Sequence, residues 1–490
     1  MGGDCMRKIG MGGLAGLMAL LILFSGCQSG SQTVKLDKKN PVSLEIWHYY
    51  NGPQKNAFDA LVTDFNDTVG AEQGIIVEAF SQGNVEELIQ KVLDAVDKKV
   101  GAKEPPDMFA AYADTAYQVD RMGMVADLSP YLTKEELDDY LDTYIDEGQL
   151  NDDGQLKIFP TAKSTELLML NKTDWDAFAA ATGASREELR TMEGLVRVAK
   201  QYYEWTDGKT ETPNDGKAFF GRDAMANYFI VGGKQLGMDI FSVENGKVTF
   251  RLDEAVMRKL WDNYYLPFIS GYFAANGRFR SDDAKTGDII ALVGSTSGAT
   301  YFPDKVTVND TESYPIQAEF MPAPIFEGGD KIAVQQGAGM VVTKADKKKE
   351  YAAVVFLKWF TEAGRNIDFS IGSGYLPVRK DAQDLTLIQQ ALDKEGAQKI
   401  NANLKLSLPA AISMTKEFTF YTNKAFKGGT NARAVLEDSL QSKAVADRKT
   451  VVQALEGGTS LAQAVAALNT DGNFQAWLEE LRGQLDATVD

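Results

Sequence analysis

Residues 331–379 read KIAVQQGAGMVVTKADKKKEYAAVVFLKWFTEAGRNIDFSIGSGYLPVR. Gly339-Met340-Val341-Val342-Thr343 is a short apolar run behind Gly337-Ala338-Gly339, the pattern of a buried strand. Asp346 is placed to cap a helix by accepting backbone N–H bonds. Ala352, Val355, Phe356, Trp359 and Phe360 repeat at the spacing of one buried helical face. Gly364 suits a left-handed helix end. The stretch Gly372-Ser-Gly374-Tyr375-Leu-Pro377 reads as a loop in which glycines free the backbone and Pro377 stiffens it. Tyr375 is therefore expected to be a positioned aromatic. A ring packed on Pro377 is the plain alternative.

Outward from this stretch, strand and helix alternate. Val42–Ile46 alternates like a strand, Pro53 opens a helix with a Phe58, Leu61, Val62, Phe65 stripe, and Ile75–Phe80 is a second strand. Pro105–Ala111 holds a third. This order predicts a parallel sheet covered by helices, with ligands at the carboxyl ends of strands. The loops to inspect are Trp47–Asn51, Ser81–Asn84 and Tyr112–Thr115. Leu156–Lys172 and Asp288–Gly298 each contain an apolar run flanked by Ser and Thr, and Asn245-Gly246 marks a hairpin. Beyond Arg379 the chain is helical and charged.

The order of the 331–379 stretch resembles the C-terminal third of the extracellular solute-binding proteins of ABC importers, of the sugar and glycerophosphate type. Pro160 to Lys172 resembles the segment by which that family crosses into its second lobe. GSTSGA at 294–299, QQGAG at 335–339 and SGYLPV at 373–378 resemble the glycerol-3-phosphate-binding branch. The resemblance implies an α/β, two-lobed periplasmic-binding-protein-like fold (type II), two Rossmann-like lobes joined by hinge crossovers. The expected division is 42–162 with 290–338 as the N-terminal lobe, and 163–289 with 339–490 as the C-terminal lobe. It also implies that Tyr375 meets the ligand, that backbone at Gly337 approaches it closely, and that Arg433 in Asn431-Ala-Arg433 helps hold a phosphate. Tyr112 is followed by Ala113 where that branch has Glu. Met169-Leu170 stands where the family has an aromatic before Asn-Lys.

Residues 1–27 carry Arg7 and Lys8, an apolar Leu14–Phe24 and Ser25-Gly26-Cys27. Charge, a short apolar core and small residues make a secretion signal over 1–26. The core is far short of the ~20 residues of a spanning helix. Cys27 after Ser-Gly resembles a lipoprotein lipidation site, with 27–41 as a tether to the fold. Such a chain sits on the extracellular side of the cell membrane, held by lipid. The two cysteines, Cys5 and Cys27, both lie in this leader, so no disulfide is expected beyond it.

With 69 acidic against 51 basic residues and a net charge of −18, nucleic acid and anionic lipid are poor partners. A single histidine, His48, leaves little for Ser-His-Asp chemistry, and counting excludes the common zinc motifs. Gly294–Gly298 is neither a nucleophile elbow nor a phosphate loop. A carboxylate pair for glycoside hydrolysis stays open among so many acids. A binding role has positive support, because sugars stack on aromatic rings and give hydroxyls to fixed polar groups. Trp47, Tyr49 and Tyr50 fit the first need; core packing is their alternative. Ser81, Ser164 and Ser295 are candidate hydrogen-bonding groups, as is Asp114, for which helix capping is the competing role. The reading is a monomeric, cofactor-free and metal-free lipoprotein that captures a carbohydrate or polyol phosphate and delivers it to importer permease subunits. A secreted hydrolase and a sensor for a receptor kinase are the alternatives.

Overall fold

The computed structural model describes residues 34–489 except 152, 245 and 395–399. The leader and Cys27 lie outside the described residues. Of the expected tether, 34–41 is held on the fold. Asp37 accepts from Lys39 N and Asn40 Nδ2 at 3.0 and 2.9 Å, forming a turn. Gly74 (φ +76°) lets that turn approach so closely that a Cβ would stand 2.6 Å from Asp37 O.

The first sheet begins with β1 (Val42–His48), whose Leu44 and Ile46 are fully buried. α1 (Gly52–Phe65), opened by Pro53, buries the predicted Phe58, Leu61, Val62 and Phe65. β2 (Ile75–Ser81) and β3 (Met108–Ala111) both pair parallel with β1. α2 (Val85–Val96) starts on a capping box between Asn84 and Glu87. α3 (Ala113–Arg121) and α4 (Asp142–Gly148) follow.

The chain then crosses. β4 (Glu166–Asn171) lies in a second sheet with β5 (Phe220–Arg222), which leads into α5 (Met225–Gln235). β6 (Phe241–Glu244) and β7 (Lys247–Phe250) form the predicted hairpin, and α6 (Glu254–Ile269) packs behind. β8 (Ala291–Ser295) pairs antiparallel with β4 and parallel with β5, and β9 (Ala318–Pro322) closes the sheet antiparallel to β4. β10 (Ile332–Val334) leads back, and β11 (Gly339–Val342) joins the first sheet antiparallel to β3. α7 (Lys347–Phe360) and α8 (Ala363–Ser373) cover that sheet. α9 (Ala402–Glu417) follows, β12 (Thr419–Tyr421) pairs parallel with β10, and α10 (Gly429–Glu456) belongs to the second core.

The resulting strand orders are β11-β3-β1-β2 and β9-β4-β8-β5. This is the expected α/β, two-lobed architecture, but the lobe boundaries move. Residues 291–295, assigned to the first lobe, pair with Glu166–Leu170 in the second. Residues 339–342, assigned to the second, pair with Met108–Ala111 in the first. The segment after β11 goes with it. Phe356, Trp359 and Phe360 of α7 lie against Phe58 and Phe65 of α1 with ring centroids 5.1–6.5 Å apart. Each such ring removes ~1.5–3 kcal/mol worth of apolar surface from water, which outweighs any sequence proximity to the second lobe. Each sheet is also mixed: the returning β11 runs against β3, β1 and β2 in the first, and the entering β4 runs against β8, β5 and β9 in the second.

Asp346 caps α7 as read, accepting from Lys348 N and Lys349 N at 2.8 and 3.2 Å. The expected face is broader than read: Ala353, Val354 and Leu357 are buried too, and Val355 only partly. Gly364 is not the helix end. α7 stops at Thr361, Gly364 lies inside α8, and Gly374 (φ +79°) is the left-handed cap of α8.

Candidate ligand-binding site

Two of the crossings meet edge to edge. Ser164 N donates to Gln336 O at 2.7 Å and Gln336 N returns a bond to Ser164 O at 3.0 Å. Gly337 (φ +94°) permits this contact, since a Cβ there would stand 3.0–3.2 Å from backbone of Ala162, Lys163 and Ser164. Its carbonyl accepts from the buried Lys163 Nζ at 2.9 Å, and Lys163 pairs with Glu147 of α4 at 2.7 Å. Gln335 Nε2 donates to Thr143 O at 3.0 Å and also to Glu147, so this corner is pinned from three directions.

On the first-lobe side the aromatic candidates separate. Trp47 stays within β1, buried, with Nε1 donating to Glu45 at 2.6 Å; it belongs to the core. Tyr50 packs among His48, Phe58 and Phe369, also in the core. His48 Nδ1 accepts from Tyr50 N at 3.1 Å, and burial holds its pKa down to about 4, so it is a neutral structural group. Tyr49 points elsewhere: its hydroxyl receives bonds from Tyr375 Oη at 3.1 Å and Ala338 N at 3.4 Å. Tyr375 stacks on Phe369 (6.0 Å, 16° between planes) and has Ser297 of the second lobe as a hydroxyl partner. Burial raises the pKa of Tyr49, Tyr112 and Tyr375 well above the phenol range, so all three are neutral hydroxyls. Ser81 lies apart on the loop edge, 3.4 Å from Asn51 Oδ1.

The second-lobe face is polar. Glu166 at the start of β4 and Arg222 at the end of β5 form a buried ion pair, and burial outweighs Arg222 in raising the Glu166 pKa. Asn227 in the first turn of α5 donates from Nδ2 to Glu166 Oε1 (2.9 Å) and Gln336 Oε1 (3.0 Å). Its Oδ1 accepts from Arg433 Nη2 at 2.8 Å, and Arg433 Nη1 stands 3.5 Å from Asn423 Oδ1. Arg433 has no carboxylate within ion-pair distance among the described residues. Glu437, one turn along α10, accepts instead from Ala226 N at 2.8 Å. Ser295 caps the turn at 296–301 through Gly298 N at 3.0 Å and lies 3.1 Å from Ser297 Oγ.

Asp114 reaches across from α3 to the start of α10, where a Cβ on Gly429 would stand 2.3 Å from its Oδ1. That oxygen is buried and has no hydrogen-bond partner. Burial, partly offset by Arg433, brings its pKa up to about 6. The Thr165 and Thr296 hydroxyls and Gln335 Oε1 are likewise buried without partners along these crossings. A cavity of about 430 Å³ opens beside Gln335, lined from both lobes by residues including Ala113, Glu147, Phe241 and Asn423.

The structure thus gathers Tyr49, Asp114, Ser164, Ser295, Gly337, Tyr375 and Arg433 along one interlobe seam and leaves Trp47, Tyr50 and Ser81 off it. Sequence reading missed Glu166, Arg222, Asn227, Gln336 and Asn423. Two of these carried a signal: Glu166 opens an otherwise apolar Leu167–Leu170 run, and Arg222 ends Phe219-Phe220-Gly221.

Two α/β lobes, joined by crossing strands around a polar seam, define the two-lobed periplasmic-binding-protein fold. The chain belongs to the bacterial extracellular solute-binding proteins, whose family model matches residues 60–396. Among solved structures, the cyclic α-maltosyl-1,6-maltose binding protein from Arthrobacter globiformis is similar at 17% identity, with 92% of this chain and 99% of that one covered and a TM-score of 0.63. UgpB from Mycobacterium tuberculosis in complex with glycerophosphocholine is similar at 18% identity, with 91% and 99% covered and a TM-score of 0.62. The substrate-binding protein Lmo0181 from Listeria monocytogenes in complex with cycloalternan is similar at 15% identity, with 91% and 100% covered and a TM-score of 0.62. At these identities the likeness establishes the fold. No curated protein sequence matches. Among the described residues no helix is long and apolar enough to cross a membrane, and no group of three or more His, Cys, Asp or Glu is arranged to hold a metal ion.

Proposed function

We propose that this protein is the substrate-binding lipoprotein of an ABC importer, and that it takes a phosphorylated polyol between its lobes for delivery to membrane permease subunits. Arg433 carries the reading. A guanidinium on an interlobe seam, held by amide oxygens with no carboxylate paired to it among the described residues, is suited to a phosphate, whose oxygens match its planar fork of donors. Asp114 and Tyr112 feel its charge, and the hydroxyls of Tyr112, Tyr49 and Tyr375 run on from there along the seam as partners for a polyol. The unpartnered buried oxygens make the ligand-free closed seam costly and a hydrogen-bonding ligand favourable. The M. tuberculosis neighbour with glycerophosphocholine supports this ligand class, and the A. globiformis and Listeria neighbours with oligosaccharides keep neutral sugars in the comparison set. The protein acts at the extracellular face of the membrane, anchored through Cys27, as a monomer without cofactor or metal.

Calorimetry with glycerol 3-phosphate, glycerophosphocholine and maltotriose tests the reading. Binding of a phosphorylated probe is expected, and Arg433→Ala should weaken it by one to two orders of magnitude, from the ~1.5–3 kcal/mol of a charged hydrogen bond. Tyr375→Ala should weaken any ligand and controls for the integrity of the seam. Lost binding in the Tyr375 variant with full retention in the Arg433 variant would sink the phosphate reading.

A further inference from the structure

Three carboxylates surround Arg433, and each is engaged elsewhere or held apart. Glu166 is paired with Arg222. Glu437 accepts from the Ala226 N–H of α5. Asp114 lies against Gly429 at the start of α10. What positions the guanidinium is neutral oxygen, from Asn227 at 2.8 Å and Asn423 at 3.5 Å. The orientation of the Asn227 amide follows from its surroundings. Its nitrogen meets two acceptors, Glu166 Oε1 and Gln336 Oε1, so its oxygen is the atom that faces Arg433. Asn227 is buried and Asn423 nearly so.

Asp has the shape of Asn, and at either position it would hold the guanidinium more tightly than an amide does. It would also cancel the charge that an anionic ligand needs. The chain has 69 acids to 51 bases, yet amides stand at both positions. We infer that Asn227 and Asn423 are specificity-determining residues, which fix Arg433 in place while leaving its charge available to an anionic ligand. Asn227 does this from a point tied to both crossings, through Glu166 at the start of β4 and Gln336 before β11. The inference rests on the phosphate reading of the seam and adds to it the reason why a seam rimmed by carboxylates accepts an anion.

The test titrates glycerol 3-phosphate and glycerophosphocholine into the full chain and into Asn227→Asp, Asn423→Asp and Asn423→Ser. Asn227→Asp should lower affinity for the phosphorylated probe by about tenfold or more, since the ligand then competes with a built-in carboxylate. Asn423→Asp, at the longer contact, should lower it less, and the neutral Asn423→Ser, which gives up a holding contact but adds no charge, less than Asn423→Asp. Unfolding midpoints of the two position-423 variants should stay near wild type, which keeps the comparison valid even if Asn227→Asp misfolds beside Glu166. Wild-type affinity in both Asp variants overturns the inference, and so does an equal loss in Asn423→Ser and Asn423→Asp. A wild-type chain that binds neither phosphorylated probe overturns the phosphate reading itself, before any variant is compared.

Discussion

Two arginines face the seam from the second lobe and are treated in opposite ways. Arg222 is 6% exposed and paired with an equally buried Glu166; Arg433 is partly exposed and touches amide oxygens alone among the described residues. Asn227 bonds to the carboxylate of the first and the guanidinium of the second. The difference separates a charge used up in building the site from a charge held ready in it. A buried pair whose charges already neutralise each other has little charge to offer a ligand, although Arg222 Nε is left without an acceptor. A guanidinium on neutral acceptors keeps its field, and the low dielectric of the seam strengthens it.

Breaking the compensated side should give the largest effect. Glu166→Gln leaves Arg222 buried without its counter-charge, and removing one partner of such a pair costs about 3–5 kcal/mol. Urea unfolding reads this directly, and a loss below about 1 kcal/mol would mean that Arg222 finds another partner or water. The small cavity of about 30 Å³ beside Glu166, Arg222 and Asn227 has room for about one water molecule. A double replacement, Glu166→Leu with Arg222→Met, should recover most of the loss, because a buried pair exchanged for apolar packing is often neutral.

Asp114 sharpens the comparison from the first lobe. Its carboxyl is buried and its pKa stands at about 6 against 3.8 for an ordinary aspartate. The folded state therefore binds more protons than the unfolded chain between those values. Its contribution is least unfavourable below pH 3.8, and stability is lost as pH rises towards 6 and stays lost above it. Asp114→Asn should stabilise the ligand-free protein at pH 7 by up to roughly 3 kcal/mol, at about 1.36 kcal/mol for each pH unit separating the two values, and by almost nothing near pH 4. Thermal unfolding at the two pH values measures it. His48 acts with the opposite sign: with its pKa at about 4 against 6.5, its contribution is complete above pH 6.5 and falls away as pH drops towards 4. A wild-type profile that is flat between pH 4 and 6, with a slope appearing in Asp114→Asn, would show both groups at work. An equal gain at pH 4 and pH 7 would mean that shape rather than charge is at issue.

The alternation from Val42 to Ala111, the cap at Asp346 and the hairpin at 241–250 were legible because each depends on a local pattern. The lobe assignment of 291–295 and 339–342 was not. Ala291-Leu-Val-Gly-Ser295 and Gly339-Met-Val-Val342 are short runs, mostly apolar, and periodicity does not choose between two sheets that bury both faces. Their partners are selected by packing hundreds of residues away, such as Phe356 and Trp359 against Phe65. Arg433 was legible through resemblance to a family segment. Asn227 and Asn423 were not, since an asparagine acquires meaning only from what its two ends face. The aromatic run Trp47-His-Tyr-Tyr50 shows the reverse case: one residue of it, Tyr49, reaches the seam, because side chains around the end of β1 point to different sides.

The smallest effect, on the neutral side of the seam, comes from Tyr375→Phe. The substitution keeps the ring, its stacking on Phe369 and its 5.9 Å approach to Tyr50. It removes the hydroxyl that donates to Tyr49 Oη and partners Ser297 across the lobes. Tyr49 Oη keeps its bond from Ala338 N, so no acceptor is orphaned. The cost should therefore be that of one neutral hydrogen bond, about 0.5–1.5 kcal/mol, in stability or in ligand affinity. Arg433→Ala should remove about twice that from the affinity for a phosphorylated ligand, and it should also lower the unfolding midpoint, because buried Asn227 Oδ1 loses its donor. Calorimetry and thermal unfolding on both variants set the two sides of the seam against each other. If Tyr375→Phe weakens binding as much as Arg433→Ala, recognition is carried by the hydroxyls and the reserved charge of Arg433 is not what the ligand reads.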